Sequence, residues 1–466
     1  MTVRHILIIG GGASGVILAA HLLREGAAGL RVTLVEPRGR LGQGIAYDTP
    51  HDAHLLNTRS GAMSAFADRP DHFLDWLTGH GLPSDPQGFV PRHLYADYLE
   101  SLLVDDERLR WERQECVSLA TRRGGIVAGL ADGRMILADD AVLATGHLLA
   151  GAGTMPDDPF ASLPGNTPHD PLAANHPASD PWHAPLPEDP QARVLILGTG
   201  LTMVDRVMRL LDADHRGEIV ILSRRGLLPR VNAPSRPIAL DRADLPLGAG
   251  AGYALGWLRA QVRWHEARGG DWRDIVDGAR VHLALWWQSV PEGTRARFLR
   301  HARRFWEVHR HRIPQPVSRR LEAALASGQV RLLTGRVASV ERDGAGFRVR
   351  LALRGGTEAV LKVAQISDGR GLLRDPERHA PPLLRDLLRS GLGRIDPLRI
   401  GLEVGADGRV IPRVGTSPAP LHAIGPAARV ASWEALAIVD IRAQAAELTA
   451  RLIAGPAAEA RCCPGE

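Results

Sequence analysis

Glycines near the start of the chain are spaced as in loops that bind the pyrophosphate of a dinucleotide. They form a G-x-G-x-x-G pattern directly after an apolar run at residues 3–9 and before helical spacing at 13–26. Glycine permits the tight turn, the close approach of the phosphates and the close packing of helix on strand. The phosphates then accept hydrogen bonds from N–H groups at the positive end of the helix. The predicted contacts in this turn are Gly10, Gly12, Ala13, Ser14 and Gly15.

An acidic residue completes this predicted site. The next apolar strand, at residues 31–36, ends in Glu36. A carboxylate at this position accepts hydrogen bonds from the ribose hydroxyls of an adenosine. Strand, glycine turn, helix, second strand and terminal acid together predict a βαβ unit that binds FAD or NAD. A strand–helix turn without a ligand is the alternative, and it does not explain the acid.

A second stretch, RVLILGTGLTMVD at residues 193–205, repeats the pattern with Met203 in place of the third glycine. A helix is predicted over 201–212 and a strand over 218–223. This strand ends in Ser-Arg-Arg, and guanidinium groups bind a 2′-phosphate that an acid would repel. The second unit is therefore predicted to bind NADPH rather than NADH, although the arginines could also be a solvated strand end. The predicted contacts are Gly198, Gly200, Leu201, Thr202, Ser223, Arg224 and Arg225.

Composition excludes several classes of protein. The chain has 466 residues, 57 Lys and Arg against 52 Asp and Glu, and three Cys. This length predicts two or three domains. Few cysteines argue against a disulfide scaffold and favour a reducing, cytoplasmic location. Without a recognisable nucleic-acid-binding motif or a run of about 20 apolar residues, neither a nucleic-acid partner nor a membrane span is expected.

Two dinucleotide cradles in one chain resemble the flavoproteins that have two dinucleotide-binding domains. LATG at 143–146 is similar to that superfamily's strand end at which the chain crosses between domains. LHAIG at 421–425, followed by a predicted helix at 433–453, is similar to its late segment that contacts FAD. Several longer stretches resemble, more narrowly, a bacterial FAD/NAD(P)-binding protein family related to flavin-containing and N-hydroxylating monooxygenases. These stretches are GQGIAYDTPHDAHLLNTRSGAMSAFADRPDHFLDWL, FVPRHLYADYL, GTGLTMVD, DWRDIVDGAR and FWEVHRHRIP.

The resemblance implies an α/β fold with two Rossmann-like domains, for FAD and NAD(P)H, and a helical insertion rich in Trp and Arg. The implied order is 1–160, the first part of the FAD domain; 161–189, a linker; 190–369, the NAD(P)H domain with its insertion at 241–327; and 370–466, the second part of the FAD domain. It also implies further cofactor contacts by Arg92, Thr145, Gly146, Gly425 and Trp433. Arg92 could instead contact a neighbouring carboxylate.

Three kinds of activity stay open for such a flavoprotein. In the favoured one, a monooxygenase, NADPH reduces FAD and the flavin activates molecular oxygen in a pocket from which the helical insertion excludes water. A non-oxygenating NAD(P)H oxidoreductase and a non-enzymatic, cofactor-binding sensor are the alternatives. A disulfide reductase needs a pair of cysteines beside the flavin, and neither Cys116 nor the adjacent Cys462 and Cys463 supplies one by its spacing.

Few residues are candidates for contact with the substrate. Asn57 could donate a hydrogen bond to the flavin edge or to a bound oxygen, or it could simply be a turn residue. Arg310 and Arg312, in EVHRHR, could bind an anionic group of a small-molecule substrate, or they could be solvated charges. No residue set at helical spacing completes a metal site with the histidines of this segment. The N-hydroxylating relatives suggest an amine or amino acid as substrate, and the oligomeric state is not predicted.

Overall fold

The computed structural model describes residues 4–454 except 27–28, 104, 148–184, 371–375, 378–379 and 435. Most of the predicted linker, together with Cys462 and Cys463, lies outside the described residues. The strands are β1 (Arg4–Ile9), β2 (Leu30–Val35), β3 (Leu109–Glu112), β4 (Cys116–Arg122), β5 (Gly125–Leu130), β6 (Met135–Ala138), β7 (Asp140–Leu143), β8 (Val194–Leu197), β9 (Ile219–Ser223), β10 (Val330–Asp343), β11 (Gly346–Leu353), β12 (Glu358–Val363), β13 (Gln365–Asp368) and β14 (Leu421–Ala423).

The α-helices are α1 (Ala13–Glu25), α2 (His72–Gly79), α3 (Arg92–Ser101), α4 (Leu201–Asp212), α5 (Ala251–Glu266), α6 (Trp272–Arg280), α7 (Leu283–Ser289), α8 (Glu292–Arg297), α9 (Arg303–Arg310), α10 (Gln315–Ala326), α11 (Pro382–Ser390), α12 (Arg429–Ser432) and α13 (Ile438–Ala454). Helices α5 to α10 lie between β9 and β10. Within the described residues, no helix is both long and apolar enough to cross a membrane.

The first sheet has five parallel strands in the order β14-β7-β1-β2-β3. Its central strands are continuous apolar runs, as expected for parallel strands covered on both faces. Helices α1 and α13 pack together on one face, and the small antiparallel sheet β4-β5-β6 and α11 cover the other. The first sheet is therefore built from both ends of the chain, because β14 and α13 return to it after the second sheet is complete.

The second sheet has the order β12-β11-β10-β9-β8-β13. Its strands β10, β9, β8 and β13 are parallel to one another. Strand β10 is long enough to pair with β9 over Val330–Thr334 and then with the antiparallel β11 from Gly335 onward, with a bulge between Val337 and Ser339. Helices α4 and α10 cover one face of this sheet. The predicted α/β class with two Rossmann-like units is confirmed.

The helical insertion is shorter than the predicted 241–327. Val317, Leu321 and Ala324 of α10 are buried against α4, β8 and β9, so α10 is the crossover helix that leads from β9 back to β10. The boundary was wrong because helical spacing looks the same on an insertion and on a crossover helix. The insertion proper contains α5–α9, and its core joins Trp286 and Trp287 to Phe298 and Trp433.

The close packing of α1 on β1 leads to a prediction for Gly15→Ala. Alanine normally stabilises a helix interior by about 1 kcal/mol relative to glycine. At Gly15, however, a Cβ would lie 1.9 Å from the carbonyl oxygen of Gly10. We expect Gly15→Ala to lower the melting temperature. The matched control is Gly256→Ala in α5, where a Cβ meets no atom within 4 Å and the melting temperature should not fall. Equal effects of the two substitutions would contradict the packing argument.

Candidate functional site

The first glycine turn lies at the carboxyl end of β1, in the middle of the first sheet. Gly10 has a φ of 109°, and a Cβ on it would lie 2.5 Å from the carbonyl oxygen of Ala144. A Cβ on Gly12 would lie 3.3 Å from the Cα of Gly44. The backbone therefore lines a narrow cradle that only glycine leaves open. Gly12 is also the residue before α1, and its lack of a side-chain cap leaves the first N–H groups of the helix, including those of Ala13 and Ser14, for an anion.

Glu36 is held beside this turn by backbone donors. One carboxylate oxygen accepts a hydrogen bond from the Gly11 N–H at 2.8 Å, and the other accepts one from the Arg38 N–H at 3.1 Å. The residue is 8% exposed at the end of β2. Because each carboxylate oxygen has a second lone pair, Glu36 keeps the capacity to accept from ribose hydroxyls.

The late segment predicted to contact the same cofactor returns to this turn. Gly425 has a φ of 65°, and a Cβ on it would lie 2.2 Å from the Ser14 hydroxyl oxygen. Its N–H donates to the side-chain oxygen of Gln444 at 2.9 Å. Thr145 and Gly146 follow the end of β7, next to β1, and the Thr145 hydroxyl is buried without a hydrogen-bond partner among the described residues. A bound ligand could satisfy this hydroxyl.

The second glycine turn repeats the geometry at the carboxyl end of β8. Gly198 has a φ of 96°, and its Cβ would lie 2.4 Å from the carbonyl oxygen of Gly369, at the end of β13. Gly200 precedes α4 without a side-chain cap and faces open space, so the N–H groups of the first helical turn, at Leu201 and Thr202, are accessible. Met203 is fully buried in the core beneath the turn.

The end of β9 carries the residues predicted to bind a 2′-phosphate. The Ser223 hydroxyl accepts a hydrogen bond from the Gly226 N–H at 2.9 Å and closes the turn after the strand. Arg225 donates weakly to the carbonyl oxygens of Arg300 and His301, and it lies over the ring of Phe305. Arg224 is exposed and has no hydrogen bond or ion pair to any residue that the structure describes. The two guanidinium groups are thus positioned at one strand end with free donors.

A buried ion pair joins the two units. Arg92, at the start of α3, donates a hydrogen bond to one carboxylate oxygen of Asp205 in α4 at 3.1 Å and lies 2.9 Å from the other as an ion pair. It also donates to the carbonyl oxygen of Leu55. The Asp205 carbonyl oxygen is also contacted by His54 at 3.1 Å. Burial raises the pKa of the Asp205 carboxyl, and the charge of Arg92 opposes that effect. Of the two roles considered for Arg92, the structure shows the contact with a neighbouring carboxylate.

Asn57 lies where the two units and the insertion meet. Its carbonyl oxygen accepts a hydrogen bond from the Asn232 side chain at 3.4 Å, and the Asn232 N–H donates to the carbonyl oxygen of Ile313. Asn57 is thus in the segment that faces the end of α9. Its role in catalysis stays a prediction.

A cluster of buried charges lies where the end of α9 meets the start of α13. Arg310 lies 3.3 Å from Glu434, which also accepts a hydrogen bond from the Trp306 indole at 2.7 Å. Arg280 pairs with Asp440 in the first turn of α13. Burial would raise the pKa of the Glu434 carboxyl, but Arg310 and the neighbouring histidine hold it below the usual value. Burial lowers the pKa of Arg310, so this cluster holds its charges at a cost in solvation.

One family model matches the part of the chain that contains the first cradle. Residues 7–148 match the FAD-NAD(P)-binding family. A search of curated protein sequences found no significant match.

The fold of the whole chain is similar to solved structures of N-hydroxylating enzymes. Ornithine hydroxylase PvdA from Pseudomonas aeruginosa is 15% identical, with 97% of this chain and 99% of that chain covered and a TM-score of 0.60. L-lysine 6-monooxygenase from Pseudomonas syringae is 17% identical, with 96% and 98% covered and a TM-score of 0.60. The cadaverine monooxygenase DfoA from Erwinia amylovora is 13% identical, with 97% and 96% covered and a TM-score of 0.63. At these identities the similarity is one of fold.

Outside the segment that matches this family, Trp433 is in an unusual conformation. Its φ is 60°, which is rare for a bulky residue, and its indole is 3% exposed. The ring stacks on Trp287 at 5.3 Å between centroids, and Arg429 and Arg303 lie over it. The sequence predicted that this helix begins at 433. The turn at Trp433 explains why α13 begins instead at Ile438. A contact of Trp433 with the cofactor stays a prediction.

The predicted substrate contact of Arg312 needs correction. Both of its terminal nitrogens donate to the carboxylate of Asp277, its Nε donates to the carbonyl oxygen of His309, and the residue is 6% exposed. Arg312 therefore fixes the end of α9 to α6. Sequence reasoning also missed Glu434, Asp440 and Arg280, although Arg280 lies in one of the quoted motifs; only the tertiary structure brings these three residues together.

The described residues contain no group of three or more His, Cys, Asp or Glu placed to hold a metal ion. Among the same residues, the thiol of Cys116 is buried, and burial raises its pKa to about 12. A thiol held in its protonated form is a poor nucleophile, so Cys116 is unsuited to redox exchange.

The ion pair between the units leads to a prediction for Arg92→Met. Removal of one partner leaves the buried Asp205 carboxylate without compensation, which costs about 3–5 kcal/mol of unfolding free energy. The double variant Arg92→Met/Asp205→Asn should recover a large part of this loss. As a control, Arg40→Met removes exposed pairs with Asp97 and Glu100 and should cost at most about 1 kcal/mol. Denaturant unfolding measures all three, and equal losses for Arg92→Met and Arg40→Met would refute a buried role for Arg92.

Proposed function

We propose that this protein is an FAD-dependent, NADPH-using oxidoreductase, and specifically a monooxygenase that hydroxylates nitrogen. One observation carries the proposal. Two helix N-termini without side-chain caps follow glycine turns at the ends of parallel strands in two sheets, and the chain has the fold of N-hydroxylating enzymes over nearly its whole length. The first turn lies within the segment that matches the FAD-NAD(P)-binding family.

The residues of the first unit fit FAD. Residues 1–160 and 370–466 would form its domain. The N–H groups at the start of α1 would bind the pyrophosphate, Glu36 the ribose, and the buried Thr145 hydroxyl would gain the partner that it lacks among the described residues. Gly425 would bring the chain over the cofactor at Ser14. Bound FAD would accept a hydride from NADPH and then activate oxygen.

The residues of the second unit fit NADPH. Residues 190–240 and 328–369, together with the crossover helix α10, would form this domain, with the pyrophosphate at Gly200 and the 2′-phosphate between Arg224 and Arg225. Guanidinium groups bind phosphate through paired, charge-assisted hydrogen bonds. An acid at the corresponding place in the first unit, Glu36, would instead disfavour a phosphorylated ribose there. The two strand ends thus give the two cradles different nucleotides.

The buried charges at the end of α9 support a small polar substrate. The enzymes of similar fold act, by their names, on ornithine, lysine and cadaverine. Here Arg310 would bind the carboxylate of an amino acid, and Glu434 would bind an amine. Asn57, in the adjacent segment, would donate to the flavin edge or to oxygen. Because the chain has few cysteines and Cys116 is buried, we place the enzyme in the reducing cytoplasm.

Substitution of the two arginines at the end of β9 tests the assignment of the nucleotides. We expect the wild-type protein to be purified with bound FAD and to prefer NADPH to NADH. In Arg224→Ala/Arg225→Ala the preference should fall by about 10- to 100-fold, which corresponds to the 1.5–3 kcal/mol of a hydrogen bond to a charged group. The control is Arg336→Ala, an exposed arginine on β10. An unchanged ratio of kcat/KM for the two nucleotides would leave Arg224 and Arg225 as surface charge.

Product analysis separates the monooxygenase from its alternatives. With NADPH, oxygen and a panel of amines and amino acids, we expect one compound to yield a hydroxylated product in proportion to the NADPH consumed. Stoichiometric hydrogen peroxide with every compound, together with fast turnover on quinones or dyes, would identify a non-oxygenating oxidoreductase. Tight binding of both nucleotides with negligible turnover on any acceptor would instead identify a sensor.

A further inference from the structure

A large cavity lies between the helical insertion, α10 and the segment that follows β9. It has a volume of about 1080 Å³, is partly open to solvent, and is lined by residues of α5, α6, α7, α9, α10 and the segment at 226–231. Pockets for small organic ligands have volumes of roughly 300–1,000 Å³. Protein interiors are otherwise packed as densely as organic crystals. A space of this size is therefore more than imperfect packing between helices.

The wall formed by α5 is apolar and is only partly packed, through Ala251 and Ala254, against the core of the insertion. Leu255, Leu258 and Val262 line the cavity from this helix, yet no residue of α5 is buried. Trp272, from α6, and Trp286, from α7, line other parts of the wall. An amphipathic helix usually buries its apolar face against another element. Here that face borders open space, so an apolar ligand would supply the contacts that the protein does not.

Four arginines and two acids line the cavity, and one of the arginines, Arg273, is paired with Asp271. Arg230, Arg259 and Arg263 are exposed, and their side chains form no ion pair with any residue in the described part of the chain. Arg259 and Arg263 are one helical turn apart on α5. The two acidic residues that line the cavity are Glu266, three positions after Arg263, and Glu322, which accepts a hydrogen bond from Ser318. The charge at this rim therefore favours an anion.

The cavity does not include either glycine turn. Arg224 and Arg225 do not line it, but it borders their strand end, because Gly226 and Phe305, the ring under Arg225, are part of its wall. One residue connects it to the buried charges of the candidate site: Trp306 lines the cavity and donates its indole N–H to Glu434. A ligand in the cavity would therefore contact neither glycine turn.

We propose that this cavity binds an amphipathic carboxylate, with an apolar chain inside the insertion and the carboxylate at Arg259 and Arg263. The apolar lining excludes water from the chain, and guanidinium groups recognise the planar carboxylate through paired hydrogen bonds. The proposal concerns binding alone and does not depend on the proposed oxygenation.

Three probes with the same chain and different head groups test the charge requirement. Dodecanoate, dodecanol and dodecylamine are titrated below their micelle concentrations into the purified, FAD-loaded protein, with tryptophan fluorescence and calorimetry as readouts. We expect saturable binding of dodecanoate with a Kd at least tenfold lower than that of dodecylamine, and dodecanol between them. Equal affinities for dodecanoate and dodecylamine, or no saturable binding, would overturn the proposal.

Matched variants test the location. Arg259→Gln/Arg263→Gln should raise the Kd for dodecanoate at least tenfold, whereas Arg268→Gln, just beyond α5, should not change it. Ala254→Trp fills the cavity from α5 and should abolish binding, whereas Ala260→Trp adds the same ring to an exposed position of the same helix that does not line the cavity. The arginine variants stay informative if Ala254→Trp fails to fold, because Arg259 and Arg263 are exposed.

Competition distinguishes this site from the nucleotide sites. Saturating NADPH should leave the Kd for dodecanoate unchanged, whether or not the protein turns over any amine. Displacement of dodecanoate by NADPH, or an unchanged Kd in the double arginine variant, would overturn the assignment. Failure of the proposed oxygenation would leave these measurements unaffected, since they involve neither oxygen nor turnover.

Discussion

The close approach of backbone to backbone at two glycines is the constraint on which both cradles depend. Gly10 lies against the carbonyl of Ala144, and Gly198 lies against that of Gly369, at distances that leave no room for a Cβ. Each contact ties a strand end to the end of its neighbouring strand and directs the following helix away from the sheet. The first N–H groups of α1 and α4 are therefore open to an anion. The two units therefore share the same geometry at the strand end, the turn and the start of the helix.

The two units differ in what supports the same turn. In the first, Gly15 brings α1 against the backbone of Gly10, and Gly425 covers the helix start from a distant part of the chain. In the second, Met203 fills the core with a side chain instead of a backbone contact. A cradle enclosed by two segments suits a resident cofactor, whereas one that faces open space, as Gly200 does, suits a nucleotide that is exchanged.

Between the units, buried ion pairs favour one specific arrangement, which apolar packing alone would not specify. The Arg92–Asp205 pair joins α3 to α4, and the pairs at Glu434 and Asp440 join the insertion to α13. Buried pairs contribute little net stability, but they penalise any arrangement that separates the partners. We infer that these pairs define how the two units, the insertion and the start of α13 lie relative to one another.

The sequence by itself determined the two βαβ units, because strand, glycine turn, helix and strand ending in Glu36 or Arg224 are local patterns. It did not determine that α10 belongs to the second sheet, because a helix shows its apolar face in the sequence but not the element that covers it. Nor did it predict the turn at Trp433 or the partners of Arg312, which come from α6. Glu434, Asp440 and Arg280 are far apart or unremarkable in the chain, and only tertiary packing makes them one buried cluster. Long-range charge pairing has no sequence period, and so only the folded structure decided it.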